Sequence, residues 1–311
     1  MKNTVLLLLT SLLLTSLILG SCKKNDTTLP TVSSLRVEGT MTVDALSRTY
    51  LLNLPPNYNQ SSDVPLVIAL HGGGGSATQM ETNYYLTDKA NQSQFAIVYP
   101  EGVRSDGILG ARTWNAGTCC DYAVEKQIDD VKFISNLIDD LHKKYPRLST
   151  KKIYATGMSN GAMMCYRLAC ELSNKIAAIA PVAGTMVTTS PCVASRSVPI
   201  LHIHSKLDTK VPYTGGRSTL GFVVPPVMTG INTWLGIDAC NTSVKAVNTL
   251  TKYTLTKWLD CNNSAIQIYL TEDGGHSWPG GDKVRAGADA ISDAIVANDV
   301  IWSFFQQYKL P

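Results

Sequence analysis

Ser159, Asp208 and His276 are the residues whose types and settings could do chemistry together. Ser159 lies in Gly157-Met158-Ser159-Asn160-Gly161, a G-x-S-x-G pattern. A serine hydroxyl is a weak nucleophile until a histidine takes its proton and a carboxylate orients that histidine. The chemistry implied is attack on a carbonyl carbon through a covalent acyl intermediate. The flanks fit such a role. Residues 152–156 are a β-branched and aromatic run of strand type, and residues 162–169 have helix-forming composition. Strand, sharp turn and helix make a nucleophile elbow, which holds the serine strained with its hydroxyl exposed. Glycines two before and two after let the backbones pass closely.

The other parts are sought along the chain. The apolar run Val64–Leu70 reads as a buried parallel strand and leads into His71-Gly72-Gly73-Gly74-Gly75-Ser76. Glycines there let backbone amides approach a ligand, so Gly73 or Gly74, together with Asn160 after the serine, are expected to donate to an oxyanion. A phosphate loop is the rival reading, but no Gly-Lys-Ser/Thr follows. A second buried run over 198–204 precedes Asp208, the expected acid. The last strand, expected over 264–270, precedes His276 on a glycine-flanked loop. Serine, acid, histidine is the chain order of the α/β-hydrolase fold. His202 and His204 alternate on one strand face as zinc ligands can, but no third ligand stands nearby, so packing or support of the site is expected and no metal or organic cofactor. Asp129 and Asp130 fall in the first turn of a helix expected over 128–145, where the helix dipole favours negative charge, and neither is assigned to chemistry.

Composition narrows the class. With 27 basic and 24 acidic residues the net charge is +3, and no basic stripe points to nucleic acid. Met1-Lys2-Asn3, the apolar run 5–19 and Leu19-Gly20-Ser21-Cys22 describe an export signal, with Cys22 as a lipidated first residue. Residues 1–21 are thus expected to be a lipoprotein signal, 22–33 a tether and 34–311 one catalytic domain, with membrane contact only through the anchor. Export makes disulfides durable. Eight cysteines less Cys22 leave seven, an odd number, and Cys165 at helix spacing is expected to be the buried free thiol. Cys240 and Cys261 are expected to be bonded to each other. The pairing of Cys119, Cys120, Cys170 and Cys192 stays open.

The remaining elements must position these groups. Strands are expected over 34–42 and 47–54 as an edge hairpin, over 95–99 and over 176–182. Residues 220–262 are expected to be an excursion carrying a helix and stapled by its disulfide. Strand-like runs at 243–248 and 252–258 lie inside it, and an amphipathic helix over 290–308 closes the chain. The fold expected is a mostly parallel central sheet with helices on both faces.

Taken in order, His71-Gly72, Trp114-Asn115 with Cys119-Cys120, Asp129-Asp130-Val131, the serine motif, His204 with Asp208 and Val211-Pro212-Tyr213, and Gly275-His276-Ser277-Trp278-Pro279-Gly280 resemble the poly(3-hydroxybutyrate) depolymerase/feruloyl esterase group over about residues 35–308. The resemblance implies a secreted serine esterase acting on a small or polysaccharide-linked ester, which lipid on Cys22 would hold at the cell surface. Hydroxycinnamoyl esters on plant polysaccharide are expected first, hydroxyalkanoate oligomers second and acetyl esters third. A catalytically dead sugar-binding scaffold is the reading of another class, which the complete serine, acid and histidine oppose. Ser205-Lys206 departs from the group's usual glycine and small polar residue. The carboxyl-side linker and polymer-binding domain that secreted depolymerases of insoluble polyester often carry is not read in this sequence, so crystalline polyester is not the expected substrate. His71, Trp114 and Trp278 are expected to line the substrate site, the tryptophans as walls for a flat acyl or sugar group, with a place in the core the equal alternative for either tryptophan. Oligomeric state is not fixed by the sequence.

Overall fold

A computed structural model describes residues 35–108 and 110–311. The expected signal, tether and Cys22 lie outside the described residues.

Ten strands make one sheet: β1 (Arg36–Val43), β2 (Leu46–Asn53), β3 (Val64–Leu70), β4 (Ala96–Pro100), β5 (Leu148–Met158), β6 (Ala178–Val182), β7 (Ile200–Ser205), β8 (Lys245–Thr249), β9 (Tyr253–Trp258) and β10 (Ile266–Thr271). Their spatial order is β1-β2-β4-β3-β5-β6-β7-β10-β9-β8. The six from β4 to β10 run parallel. Two antiparallel strands flank them on each side.

The parallel strands are apolar nearly throughout because both of their faces are covered. Leu66, Ile68 and Leu70 of β3 pack with α3 (Asp130–Lys144), α4 (Asn160–Glu171) and α5 (Val227–Ile237). The alternate residues Val67 and Ala69 pack with α1 (Ala77–Asn83), α2 (Leu86–Ser93) and α6 (Ala297–Phe305). The result is a helix–sheet–helix sandwich, the α/β-hydrolase architecture. Each fully buried aliphatic or aromatic side chain here contributes roughly 1.5–3 kcal/mol. Tyr154 of β5 stacks on Phe305 of α6 at 4.7 Å, which anchors the closing helix to the strand that carries the serine.

Register places the chemistry. Leu70 of β3 pairs with Gly157 of β5, so the glycine loop and the serine turn leave the sheet side by side. Ser205 of β7 pairs with Thr271 of β10, which does the same for the loops bearing Asp208 and His276. All four loops thus emerge from the carboxyl edge of the parallel strands.

Several expected elements differ. The closing helix starts at Ala297, not at residue 290, because residues before it spend their polar groups on the histidine loop. The Ser292 hydroxyl donates to Asp273 Oδ1 at 2.5 Å, and the Ser292 carbonyl accepts from the Gly280 amide at 3.1 Å. The 220–262 excursion is in fact an extension of the sheet: after α5, strands β8 and β9 add to its edge beyond β10. Between the glycine loop and β4 stand α1 and α2, which the sequence reading passed over. Asp129 caps α3 by accepting from the Lys132 amide at 2.9 Å. Asp130 instead is buried against Arg48, so the helix dipole is not the main reason for it.

Cys240 and Cys261 are bonded, with Cα atoms 3.9 Å apart, and tie the end of α5 to the end of β9. Cys170 pairs with Cys192 and Cys119 with its neighbour Cys120. Cys165 is free and buried, and that burial pushes its thiol far above the ordinary range, leaving it inert.

Candidate active site

The elbow follows from its glycines. A Cβ on Gly157 would lie 2.6 Å from the Gly161 carbonyl carbon, and one on Gly161 would lie 2.2 Å from the Leu70 carbonyl oxygen. Only hydrogen fits at either place. Ser159 itself adopts φ 57° and ψ −118°, a conformation that side-chain-bearing residues rarely take. Its amide donates to the Val182 carbonyl at 2.9 Å, which pins the turn to β6.

The structure brings three sequence-predicted residues into one line. His276 Nε2 stands 2.8 Å from Ser159 Oγ. His276 Nδ1 stands 2.7 Å from Asp208 Oδ2. Asp208 is 3% exposed, and its Oδ1 accepts from the amides of Lys210 at 2.9 Å and Val211 at 2.8 Å. With His276 Nδ1 as donor, Nε2 is free to take the serine proton, the arrangement that general-base activation needs.

Asp289 is a partner that sequence reading missed. Its Oδ2 accepts from the His276 amide at 2.7 Å, and its Oδ1 pairs with Lys210 at 2.8 Å. Burial works to raise its pKa, but the Lys210 ammonium and the His276 amide outweigh it and hold the carboxyl below its ordinary range. The aspartate therefore straps the acid loop to the histidine loop as a charged group. No local pattern marks it, because residues 282–296 carry no regular element.

The glycine loop divides its amides. The Gly74 amide donates to the Arg112 carbonyl at 2.8 Å, so Gly74 is withdrawn as an oxyanion donor. Gly73 lies against the elbow, where an added Cβ would come within 3.8 Å of the Asn160 Cβ. The Asn160 amide opens α4 and has no acceptor within its helix. Of the three expected donors, Gly73 and Asn160 remain.

His71, Trp114 and Trp278 do not line the site, and here the sequence expectation is corrected. Each is at most 1% exposed. His71 Nε2 accepts from the Gly102 amide at 2.9 Å and Nδ1 meets the Gly72 carbonyl at 2.8 Å. Burial, aided by the Arg112 and Arg48 charges, brings its pKa down to about 4, so the ring is neutral and holds the loop's shape. Trp114 is a strut beneath that loop: its Nε1 donates to the His71 carbonyl at 2.9 Å. The Asn160 carboxamide clamps Trp114 twice, accepting from its amide at 2.7 Å and donating to its carbonyl at 3.0 Å. Trp278 backs Tyr84, ring on ring at 5.0 Å. Its apolar faces are spent on core packing, and Tyr84 is the ring that reaches the cleft.

The cleft over Ser159 and His276 has a volume of about 220 Å³. Met158, Met163, Leu220, Phe222, Val284 and Tyr84 supply apolar lining, and Gln79, Asp121, Lys210 and Arg285 polar lining. A wider groove of about 640 Å³ behind the acid loop is lined by neither Ser159 nor His276. His202 and His204 are directed at each other rather than at a common ion.

Comparison with known proteins agrees with this architecture. Residues 58–224 match the phospholipase/carboxylesterase family model. Feruloyl esterase B of Piromyces equi is 27% identical over 272 residues, 85% of this chain and 46% of that protein. A bifunctional acetylxylan esterase/xylanase of Neocallimastix patriciarum is 33% identical over 162 residues, 52% of this chain and 21% of that protein. The chain thus spans less than half the length of these relatives. The acetyl xylan esterase from Aspergillus awamori superposes with a TM-score of 0.58 at 16% identity, over 77% of this chain and 94% of that one, a likeness of fold. A family match over more than half of its length, on a sheet whose four carboxyl-edge loops converge on Ser159, makes this chain a member of the phospholipase/carboxylesterase family of α/β-hydrolases.

Proposed function

We propose that the protein is a serine carboxylic-ester hydrolase that releases hydroxycinnamoyl groups from plant polysaccharide. The observation that carries the reading is the line Ser159–His276–Asp208, with spacings of 2.8 and 2.7 Å, at the floor of a cleft of mixed apolar and polar lining. Ser159 Oγ attacks the ester carbonyl while His276 takes its proton. Asp208 stabilises the imidazolium that forms. The amides of Gly73 and Asn160 bind the oxyanion, worth roughly 3 kcal/mol per donor. The alcohol leaves with the proton from His276, and water, activated by the same histidine, releases the acid and restores the serine. No step calls on a metal or organic cofactor.

The acyl group is argued from the cleft and from the relatives. Methionine, phenylalanine and tyrosine side chains around the serine suit a flat aromatic acyl group. The names of two matched relatives include feruloyl esterase and acetylxylan esterase. The second name favours acetyl as the other reading. The site of action is an oxidising compartment, which suits the disulfides Cys170–Cys192 and Cys240–Cys261. There the chain is held by lipid on Cys22, with no nucleic-acid partner.

Purified protein is to be given methyl ferulate, a nitrophenyl acetate and a hydroxybutyrate oligomer. The expected order of kcat/KM is ferulate first. A preference for the oligomer would reject the substrate, and failure to turn over any of the three would reject the activity. Cys22→Ser is expected to move the protein from the membrane fraction to the soluble one. Unchanged membrane association would reject the anchor.

A further inference from the structure

A buried chain of polar groups leads away from the active-site acid. His202 and His204 project from β7 to the same face of the sheet, and neither is more than 1% exposed. Tyr166 of α4 closes the far end, its hydroxyl 2.8 Å from His202 Nδ1. His202 Nε2 lies 3.0 Å from His204 Nδ1. His204 Nε2 lies 2.8 Å from the Val211 carbonyl and 3.5 Å from Asp208 Oδ2.

The partners assign the protons. A carbonyl only accepts, so His204 carries its proton on Nε2. In a neutral ring His204 Nδ1 is then an acceptor, so His202 carries its proton on Nε2. His202 Nδ1 in turn accepts from the Tyr166 hydroxyl. This one arrangement satisfies every ring nitrogen with both imidazoles uncharged.

The surroundings agree. The groups facing His204 are His202 on its own strand, Asp208 and Tyr213 from the acid loop, and His276 across Asp208. Burial holds His204 below the ordinary histidine range even though Asp208 pulls the other way. Burial, then the neighbouring His204, does the same to His202 more strongly.

We propose that His204, oriented by His202 and Tyr166, is a positioning residue for Asp208. Its Nε2–H fastens the Val211 carbonyl, and the Val211 amide in turn holds Asp208 Oδ1. Its neutrality is as important as its bond. A cation 3.5 Å from Oδ2 would compete for the charge that His276 draws on when it takes the serine proton. A neutral donor gives the acid loop its rigidity without that competition.

This inference rests on reading Ser159, His276 and Asp208 as a triad, and the test separates the two. Kinetics on a nitrophenyl ester are compared for wild type, His204→Leu and His204→Gln. His204→Leu is expected to lose kcat on the order of 10- to 100-fold with KM nearly unchanged, the cost of a misplaced catalytic group. The downfield proton resonance of the His276–Asp208 bond should move. His204→Gln, which can offer an uncharged N–H to the Val211 carbonyl, should recover most of the loss. A folded His204→Leu with wild-type kcat and an unmoved resonance would overturn the proposal. Nitrogen-15 spectra of histidine-labelled wild type need no variant to fold. They should show His204 protonated on Nε2 alone from about pH 6 to 8, and an imidazolium in that range would also overturn it. Ser159→Ala, measured alongside, reports on the triad reading by itself.

Discussion

Arg48 Nη2 meets Asp130 Oδ1 at 2.7 Å in a pocket where the side chains are 4% and 0% exposed. The guanidinium also lies over the Phe133 ring, 4.0 Å from its centre. The second Asp130 oxygen accepts from the Asn115 amide at 2.8 Å, next to the Trp114 strut that Asn160 clamps. The pair therefore anchors, from inside the protein, the loop on which the glycine turn and the elbow helix both lean.

Breaking this pair from one side should be costly. Asp130→Asn leaves an uncompensated buried guanidinium, and single-partner loss at such sites typically costs about 3–5 kcal/mol. Urea unfolding of Asp130→Asn is expected to show a loss of that order. The double replacement Arg48→Met, Asp130→Leu should recover much of it, because two apolar groups carry no stranded charge. A single variant within about 1 kcal/mol of wild type would show that the pair is not an anchor.

Ser159→Ala and His276→Ala should each remove turnover almost completely while the fold persists. Loss of a nucleophile or its base in comparable serine enzymes costs on the order of 10⁶-fold in kcat. The double variant should be no worse than either single one, since the residues act as a unit. Retention of a few per cent of activity by pure Ser159→Ala would remove the serine from its assigned place.

How much of this was legible in sequence depends on whether a residue's role is local. The elbow is local: two glycines bracket a serine between a strand and a helix, and each glycine has a contact no larger residue could keep. The buried strands β3 and β7 are equally plain, because a continuous apolar run has few other uses. Trp114 and Trp278 are different. An aromatic beside a functional motif reads the same whether it walls a cleft or props it from behind, and only its burial and the contacts of its ring decide. Gly74 is lost for a similar reason, since its amide is claimed by Arg112, whose carbonyl arrives from a short strand far along the chain. Strands β8 and β9 were visible as strand-like runs. Their place in the sheet was not, because local composition does not name the partner strand: β9 pairs with β10 and β8 with β9, beside the chain closure made by Cys240–Cys261.

That closure yields a stability prediction. The bond spans 21 residues and links the ends of α5 and β9. In the chain-entropy model a loop of this size is worth roughly 3 kcal/mol. Cys240→Ser with Cys261→Ser is expected to lower unfolding free energy by about that amount, with a smaller fall in kcat because β9 pairs directly with the strand leading to His276. Equal stability of the variant and the oxidised wild type would contradict this.

Asp238 should give the protein a stability slope opposite to that of most aspartates. It is fully buried at the end of α5, where it accepts from the Val198 amide at 3.1 Å and the Ser264 hydroxyl at 2.6 Å. Burial raises its pKa to about 6, against the pull of these donors and of Arg196. An unfolded aspartate titrates near ~3.9, so between these values the folded chain holds a proton that the unfolded chain has released. The contribution of this group is therefore fully present below about pH 4 and is lost as pH rises through about 6. At ~1.4 kcal/mol per unit, the difference is on the order of 3 kcal/mol. Asp238→Asn has no proton to lose and can still bond Ser264, whose hydroxyl can turn to accept. Its stability relative to wild type should rise by about 2–3 kcal/mol between pH 4 and pH 7, measured by urea unfolding at each pH. A difference that stays flat across that window would mean Asp238 titrates normally, and its burial would then have to be offset by a partner other than Ser264 and Val198.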